Sequence, residues 1–285
     1  MCGISGCWGE PLPDATLRSI TRVLAPRGPD AEGVWSGGRH EPQVGHRRLS
    51  IIDVSDAGRQ PMVSRSGRFV LVYNGEVYNH DDIRRDLAGP WKGHSDTETL
   101  LEACEEWGLE RTLTRANGMF ALGLWERRER ELHRARDRVG IKPLVWGRAG
   151  GRLVFASTLE ALRAFPGFDE SIDRDALGTY FRFAYVPAPR TIFRDAFKVE
   201  PGTWLTFRAP EEVPRLRRWW NPEELAARGR AAPFRGRPDE AVEQLETVLS
   251  QAVQRRLVAD VPVGAFLSGG IDSSTVVALA GRLRS

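Results

Sequence analysis

The sequence predicts an α+β fold in which sheets are stacked inside a layered first domain, followed by the start of a second, α/β domain. Apolar runs of strand length occur at 69–73, 119–125 and 153–157. Runs that are apolar on both faces are typical of sheets that are covered on both sides. Helical patterns lie between these runs without a regular βαβ repeat. Near residue 208 the composition changes, and a separate strand, loop and helix pattern follows.

The first elements are predicted to be a short strand, GISGCW (3–8), and a helix, DATLRSITRVL (14–24), that Pro26 ends. The apolar face of this helix contains Leu17, Ile20 and Leu24. Further along, MFALGLW (119–125) leads through a polar turn into ELHRARD (131–137), and this arrangement predicts a hairpin.

A capping box predicts the start of another helix at SDTE (95–98), because Ser95 is followed three residues later by a glutamate and then by an apolar periodic run. Gly108 is expected to end this helix. Cys104 falls on its apolar side, and we therefore assign it, like Cys7, to packing.

The predicted domains are a first domain at 2–207, a connecting segment at 208–237 rich in Pro and Arg, and the start of a second domain at 238–285. In the last part, residues 238–258 predict an amphipathic helix. VPVGAFL (261–267) resembles a buried parallel strand, and a loop and a second helix follow it.

Composition excludes several classes of protein. Lys and Arg number 41 against 38 Asp and Glu, and the basic residues are scattered among carboxylates, which argues against a nucleic-acid partner. No apolar run approaches the roughly 20 residues that a membrane span needs. The three cysteines form no CxxC pair and the five histidines are dispersed, so neither a disulfide framework nor a structural zinc site is indicated. We expect a soluble, cytoplasmic protein without a membrane partner.

Cys2 is the first candidate for chemistry. If Met1 is removed, the α-amine of Cys2 becomes free beside its own thiol, and α-amines titrate at about 7.7–8.0, which suits a general base at neutral pH. The alternative is a small residue at a loose terminus, and position alone favours that alternative.

The dipeptide Asn74-Gly75 also has two interpretations. Between two strand-like runs, Asn-Gly is a common hairpin turn. An Asn amide and a glycine N–H aimed at one point would instead form an oxyanion hole. By itself the dipeptide favours the turn.

Two single charges stand at the ends of apolar runs. Arg48 could hold the carboxylate of an amino acid and Asp96 its ammonium group. Alternatively, Arg48 is a surface residue and Asp96 is favoured only by the dipole at its helix start.

The segment SGGIDSS (268–274) is the most specific local motif. Two glycines between a strand and a helix would place backbone N–H groups, hydroxyls and the positive end of a helix dipole around an anion. The segment lacks the GK[ST] of a Walker A loop, so it suits pyrophosphate better than a transferred γ-phosphate. The alternative is a tight turn without a ligand.

Seven motifs together resemble the glutamine-hydrolysing asparagine synthetases. They are MCGISG (1–6), RGPD (27–30), GHRRLSIID (45–53), YNGEVYNH (73–80), SDTE (95–98), ARDRVGIKPL (135–144) and LSGGIDSS (267–274). Their order matches that of the family, and the resemblance covers essentially the whole chain. The resemblance therefore favours the functional interpretations of Cys2, Asn74 and Asp96 over the structural ones.

The resemblance implies a class II glutamine amidotransferase domain, an N-terminal-nucleophile hydrolase with an α/β/β/α sandwich, followed by the truncated start of an ATP-pyrophosphatase domain of the adenine nucleotide α-hydrolase type. It implies that Cys2 is the nucleophile and that Asn74 and Gly75 form the oxyanion hole. The glutamine-binding residues would be Arg48, Leu49, Ser50, Ile51, Ile52, Asn74, Gly75, Glu76 and Asp96. The ATP-binding residues would be Leu267, Ser268, Gly269, Gly270, Asp272, Ser273 and Ser274, arranged around the pyrophosphate and its Mg²⁺.

The activity that this resemblance implies is hydrolysis of glutamine to glutamate and ammonia, with the ammonia used for ATP-dependent amidation of aspartate to asparagine. ATP and Mg²⁺ would serve the full-length enzyme, and the glutaminase step would need no cofactor. Because the chain ends one helix after the pyrophosphate loop, we expect it to act alone as a glutaminase at most. Members of the family are often dimers, so a homodimer is one arrangement that the resemblance allows.

Two alternatives stay open at this point. One is an amidotransferase of a secondary-metabolite or exopolysaccharide pathway that acts on another carboxylate. The other is a regulatory protein that kept the glutaminase fold without its activity.

Overall fold

A computed structural model of the protein describes residues 1–284. Within this range the strands are β1 (Gly3–Trp8), β2 (Ala31–Ser36), β3 (Gln43–Arg48), β4 (Met62–Val63), β5 (Phe69–Val77), β6 (Gly118–Glu126), β7 (Glu131–Arg136), β8 (Val145–Ala149), β9 (Arg152–Ala156), β10 (Ala196–Lys198), β11 (Thr203–Phe207) and β12 (Arg215–Arg218). The helices are α1 (Asp14–Val23), α2 (His80–Arg85), α3 (Asp96–Trp107), α4 (Leu109–Arg115), α5 (Leu159–Arg163), α6 (Arg174–Phe183), α7 (Pro222–Ala231), α8 (Pro238–Arg255) and α9 (Ile271–Arg284). A 3₁₀ turn covers Asp56–Gly58.

The chain forms two compact units, and the first contains residues 1–50 and 55–220. This unit is built from two antiparallel sheets, with strand orders β10-β8-β9-β1-β3-β2 and β12-β11-β7-β6-β5-β4. The predicted strand at 3–8 is confirmed as β1, and the predicted hairpin is confirmed as the pair β6 and β7.

The sheets are stacked face to face, with helices on their outer faces. Side chains on a strand alternate between its two faces. On β5, Val70 and Val72 therefore pack with Ile4 of β1 between the sheets, whereas Leu71 and Tyr73 pack against the helix side. Helix α3 covers that outer face, and α1 and α5 cover the outer face of the other sheet. The expected α/β/β/α sandwich is therefore observed.

Helix α3 begins as the capping pattern predicts, although only half of the box is formed. Ser95 Oγ accepts a hydrogen bond from Glu98 N at 3.2 Å. The Glu98 carboxylate instead accepts from the backbone N–H groups of Lys92 (2.8 Å) and Gly93 (3.0 Å). The helix ends at Gly108, whose φ of 78° is easily adopted by glycine. Cys104 is buried on the core-facing side of α3, as expected.

The segment 208–237, expected as a connection, contains both β12 and α7. Strand β12 pairs with β11, with Thr203 opposite Arg218, and the first unit extends to Trp220. This edge strand has the sequence RLRR and all of its side chains are exposed, so it carries no apolar periodicity. Charged edge strands of this kind resist pairing with other chains.

The second unit contains 51–54 and the chain from 221 onwards. The predicted helices α8 and α9 are present, but the predicted strand at 261–267 is wrong: the segment is irregular, and Phe266 is fully exposed. A strand must pair its backbone N–H and C=O groups with a neighbour. Among residues 1–284, no strand lies beside this segment.

The apolar face predicted for α8 is only partly covered within its unit. Val253 is buried, whereas Val242, Leu245 and Val248 are exposed. Over the described part of the chain, no helix is long and apolar enough to span a membrane.

Candidate active site

Strands β1 and β3 bring Cys2 and Arg48 together. In this antiparallel pair Gly3 lies opposite Arg47 and Ile4 opposite His46, so continuing the register by one residue places Cys2 opposite Arg48. Ile4 packs between the two sheets. By alternation, the side chains of Cys2, His46 and Arg48 point to this same face, towards the second sheet.

The Cys2 thiol is held by the backbone of Leu49, which follows β3 directly. Its Sγ accepts a hydrogen bond from Leu49 N at 3.4 Å and donates one to Leu49 O at 3.7 Å. The pKa of the thiol is raised, chiefly by burial and to a lesser degree by the negative charge of Asp96. The hydrogen bond from Leu49, the nearby amino terminus and Arg48 act in the opposite direction. The raised pKa means that the resting thiol is protonated at neutral pH, so its nucleophilic form requires a base.

The RGPD segment (27–30) makes hydrogen bonds to the backbone of both Cys2 and the residues around Arg48. Arg27 donates from Nε to Cys2 O at 3.0 Å. Asp30 accepts from Ser50 N at 2.7 Å through its carboxylate, and its own N–H donates to Arg48 O at 3.0 Å. Sequence reasoning assigned no role to Arg27 or Asp30, although the motif itself was among the seven that marked the family resemblance.

Of the remaining residues predicted to line the glutamine pocket, Arg48 is buried and donates from Nη1 to Ser55 O at 2.9 Å. Ser50 is partly buried. Ile51 and Ile52 belong to the short segment that groups with the second unit.

Asn74 and Gly75 lie in the middle of β5 and do not form a hairpin turn. Asn74 is opposite Ala121 and Gly75 is opposite Phe120, so the turn interpretation is wrong. Strand β6 pairs with β5 over the whole range Phe69–Val77, and this pairing outweighs the local turn preference of Asn-Gly. A Cβ on Gly75 would lie 2.4 Å from Met119 O, so only glycine fits there.

The Asn74 side chain points between the sheets, because it follows the alternation of Val70 and Val72. It therefore faces the same interior space as Cys2. Its amide Nδ2 and Oδ1 are buried, and neither has a hydrogen-bond partner within residues 1–284. An unpaired buried amide lowers the stability of a folded protein by about 1–3 kcal/mol. Such a group is typical of a ligand-binding site.

Asp96 approaches β5 from the opposite, helix-covered side. Its Oδ2 accepts hydrogen bonds from Tyr73 Oη at 2.8 Å and from Val77 N at 2.9 Å. Burial raises the pKa of Asp96, and the hydrogen bonds from Val77 and Tyr73 act in the other direction. Glu76, in contrast, follows the alternation of Asn74 and faces the other sheet.

His46 joins the two sheets next to Asn74. Its Nε2 lies 3.1 Å from Tyr73 O on β5. Burial lowers the pKa of His46 to about 3, so the ring is neutral at physiological pH. Because a carbonyl oxygen only accepts, the proton of the neutral ring must be on Nε2. The sequence did not identify this contact, since it depends on the stacking of two sheets.

In the second unit, the predicted pyrophosphate loop leads directly into α9. Gly269 has a φ of 81°, and the helix begins at Ile271, so Asp272, Ser273 and Ser274 lie in its first turn. The hydroxyls of Ser268 and Ser273 are 2.9 Å apart. Exposed hydroxyls beside a helix amino terminus suit an anion. Leu267, which precedes the loop, is exposed.

Metal-binding side chains do not cluster: residues 1–284 contain no group of three or more His, Cys, Asp or Glu arranged to hold a metal ion.

Comparison with known proteins gives the family. The glutamine amidotransferase domain family matches residues 1–220, and the asparagine synthase family matches residues 244–285. The chain is 36% identical, over 98% of its length, to asparagine synthetase (glutamine-hydrolyzing) 3 of Bacillus subtilis, of which it covers 45%. It is 35% identical, over 99% of its length, to amidase chry2 of Gibberella zeae, of which it covers 43%. The chain thus spans less than half the length of these relatives.

The fold is also similar to that of a solved structure, glutamine phosphoribosylpyrophosphate amidotransferase from B. subtilis complexed with ADP and GMP. The TM-score is 0.57 at 20% identity, covering 99% of this chain and 64% of that one. The family match covers far more than half of the chain, and the protein therefore belongs to the glutamine amidotransferase domain family.

Proposed function

We propose that the first unit hydrolyses glutamine to glutamate and ammonia, with Cys2 as the nucleophile. The observation that carries this proposal is the placement of the Cys2 thiol and the unpaired Asn74 amide on facing sheets, directed into the same buried space. A thiol nucleophile and an amide donor for the oxyanion are two of the groups that acyl transfer requires, and the base is the third.

The reaction would proceed through a thioester. Cys2 Sγ attacks the side-chain carbonyl carbon of glutamine, and the carbonyl oxygen gains negative charge. Asn74 Nδ2 and the N–H of Gly75 would stabilise this oxyanion. The C–N bond then breaks, the nitrogen leaves as ammonia with the proton from the thiol, and water hydrolyses the thioester to glutamate and the free thiol.

The base in this scheme is the α-amine of Cys2 after removal of Met1. In the structure the amino terminus is that of Met1, and burial together with the charges of Lys142 and Arg27 lowers the pKa of its α-amine, against the opposing effects of Cys2 and Asp30. After removal of Met1, the α-amine of Cys2 would lie beside Arg27, which donates from Nε to Cys2 O at 3.0 Å. A lowered pKa increases the fraction of neutral amine that can accept the thiol proton.

Substrate binding would use the charges around this space. Arg48 would hold the glutamine carboxylate, and the backbone from Leu49 to Ile52 would line the pocket. Glu76 and Asp96 would bind the side that carries the α-amino group. Support for these assignments comes from the burial of Arg48 and Asp96 and from the electrostatic effects of both groups on the pKa of the Cys2 thiol.

We also propose that the ammonia serves ATP-dependent amidation of aspartate to asparagine, the activity that the name of the Bacillus subtilis relative indicates. The second unit would contribute the loop 268–274. Its backbone N–H groups and the hydroxyls of Ser268 and Ser273 fit a pyrophosphate, and Asp272 offers a carboxylate for the accompanying Mg²⁺. When bound, the nucleotide supplies the activation of the carboxylate that ammonia attacks.

The first test measures glutamate release by the purified chain, before and after the substitution Cys2→Ala. We expect glutaminase activity in the unsubstituted protein and its complete loss in Cys2→Ala, because the two other thiols, Cys7 and Cys104, are buried in hydrophobic core. Cys104→Ala is the matched control and should keep its activity, since this thiol is buried on the core-facing side of α3. Substantial turnover by Cys2→Ala would rule out the proposed nucleophile.

A further inference from the structure

Lys142 is a buried lysine that the mechanism above does not use. It is only 5% exposed, whereas lysines are almost never buried without a partner. It follows β7 in the ARDRVGIKPL segment, and the chain has just two other lysines, Lys92 and Lys198.

The backbone at Lys142 is fixed by a buried carboxylate and an arginine. Asp137 accepts hydrogen bonds from the N–H groups of Val139 (3.2 Å), Ile141 (2.9 Å) and Lys142 (3.0 Å). Arg136 donates to Lys142 O at 2.8 Å. Its other nitrogens donate to Gly140 O and Val199 O. The loop 137–142 is therefore rigid, although it has no regular secondary structure.

The same carboxylate attaches this loop to the strand beside the proposed oxyanion hole. Asp137 accepts from Phe120 N at 3.1 Å, and its own N–H donates to Phe120 O at 2.8 Å. Phe120 is the residue that lies opposite Gly75 on β5. A chain of backbone contacts therefore connects Lys142 with Gly75.

The Lys142 ammonium interacts with the charged groups of the site. The pKa of Lys142 is lowered, chiefly by burial and also by the positive charge of Arg27. Glu76, Cys2 and Asp137 act in the opposite direction. Lys142 and Arg27 in turn lower the pKa of the α-amine of Met1, the residue next to Cys2. The other charged groups that act on the thiol or the amine are Asp30, Asp96 and Arg48.

We propose that Lys142 is a positioning residue of the glutaminase site, whose buried ammonium balances the charge of Glu76 and keeps a fixed positive charge beside the Cys2 thiol and α-amine. This inference rests on the proposed function. The positive charge favours the thiolate over the thiol and the neutral amine over the protonated amine. Both effects extend activity to lower pH, because the thiol and its base are then in their reactive forms more of the time.

The test compares Lys142→Met, which removes the charge and keeps most of the volume, with Lys142→Arg, which keeps the charge. The readout is the pH profile of kcat/KM for glutamate release. A neighbouring charge in a buried site shifts a pKa by about one unit, which corresponds to about tenfold in rate on the acid side. We expect the acid limb of Lys142→Met to move to higher pH by about this amount, and that of Lys142→Arg to remain near the wild-type position.

Lys92→Met is the control, because Lys92 is exposed and its side chain is not part of the site. Thermal melts show whether each variant is folded. If Lys142→Met is folded and keeps the wild-type acid limb, the inference is wrong. If Lys142→Met does not fold, the pH profile of Lys142→Arg is the test. An acid limb that moves in Lys142→Arg, although the positive charge is kept, would contradict the inference.

Alkylation of Cys2 by iodoacetamide provides a readout that is independent of turnover. Its rate as a function of pH, followed by peptide mass spectrometry, should shift in Lys142→Met in the same direction as kcat/KM. A wild-type chain that releases no glutamate would contradict the proposed function itself. An unshifted alkylation profile in the folded Lys142→Met protein would contradict only the role of Lys142.

Discussion

Arg134 is a fully buried arginine between the two sheets, on β7 opposite Gly123 of β6. Its guanidinium lies 4.6 Å from the ring centres of both Phe155 and Phe207. None of its three nitrogens has a hydrogen-bond partner in the described part of the chain. Burial lowers the pKa of Arg134 to about 9, which is a measure of how unfavourable the charged form is at this position.

We therefore expect Arg134→Met to stabilise the protein. A buried charge without an ionic partner costs several kcal/mol, and two cation–π contacts offset only part of that cost. The expected gain in the free energy of unfolding is about 1–3 kcal/mol, measured by denaturant unfolding at neutral pH. The exposed Arg39→Met serves as the control and should change it little. A destabilised Arg134→Met protein would mean that the cation–π contacts outweigh the desolvation of the charge.

At the scale of single elements, strand β5 shows what the sequence can and cannot predict. Its apolar run at 69–73 was sufficient to predict a strand, because burial on both faces leaves a continuous apolar pattern. The continuation through Asn74-Gly75 was not predictable from local preference. It depends on pairing with β6, a partner more than forty residues away in sequence.

At 261–267, in contrast, the sequence predicted a strand that the structure does not contain. The apolar pattern of this segment predicted a buried strand, but the described chain provides no neighbouring strand, so its backbone stays irregular. The motifs predicted positions in secondary structure better than side-chain contacts. Asp96 was expected at a helix start and lies there, yet its hydrogen bonds with Tyr73 and Val77 depend on packing. Lys142 and His46 were missed for the same reason.

At the scale of the whole first unit, His46 links the stability of the sandwich to pH. The ring is neutral in the folded protein, with a pKa of about 3, and an unfolded histidine titrates near 6.5. Between these values the unfolded chain binds one proton more than the folded chain. Stability is therefore complete above the unfolded pKa and is lost as the pH falls towards about 3, with a slope from this residue of about 1.4 kcal/mol per pH unit.

The measurement is the free energy of unfolding as a function of pH, for the unsubstituted protein and for His46→Gln, which keeps a donor for Tyr73 O. We expect a shallower acid dependence in His46→Gln. His133, whose pKa burial lowers to about 4, contributes in the same direction and is unchanged in both proteins. Equal slopes in the two proteins would show that His46 is not kept neutral by the stacked sheets.

In the proposed mechanism, Cys2 attacks glutamine from the space between the two sheets. Mass spectrometry of the protein, quenched in acid during turnover and digested, tests it most directly and also shows whether Met1 has been removed. We expect a γ-glutamyl group on the peptide that begins with Cys2, and no such group in Cys2→Ala. Turnover with no adduct on Cys2, or with the adduct on another residue, would contradict it.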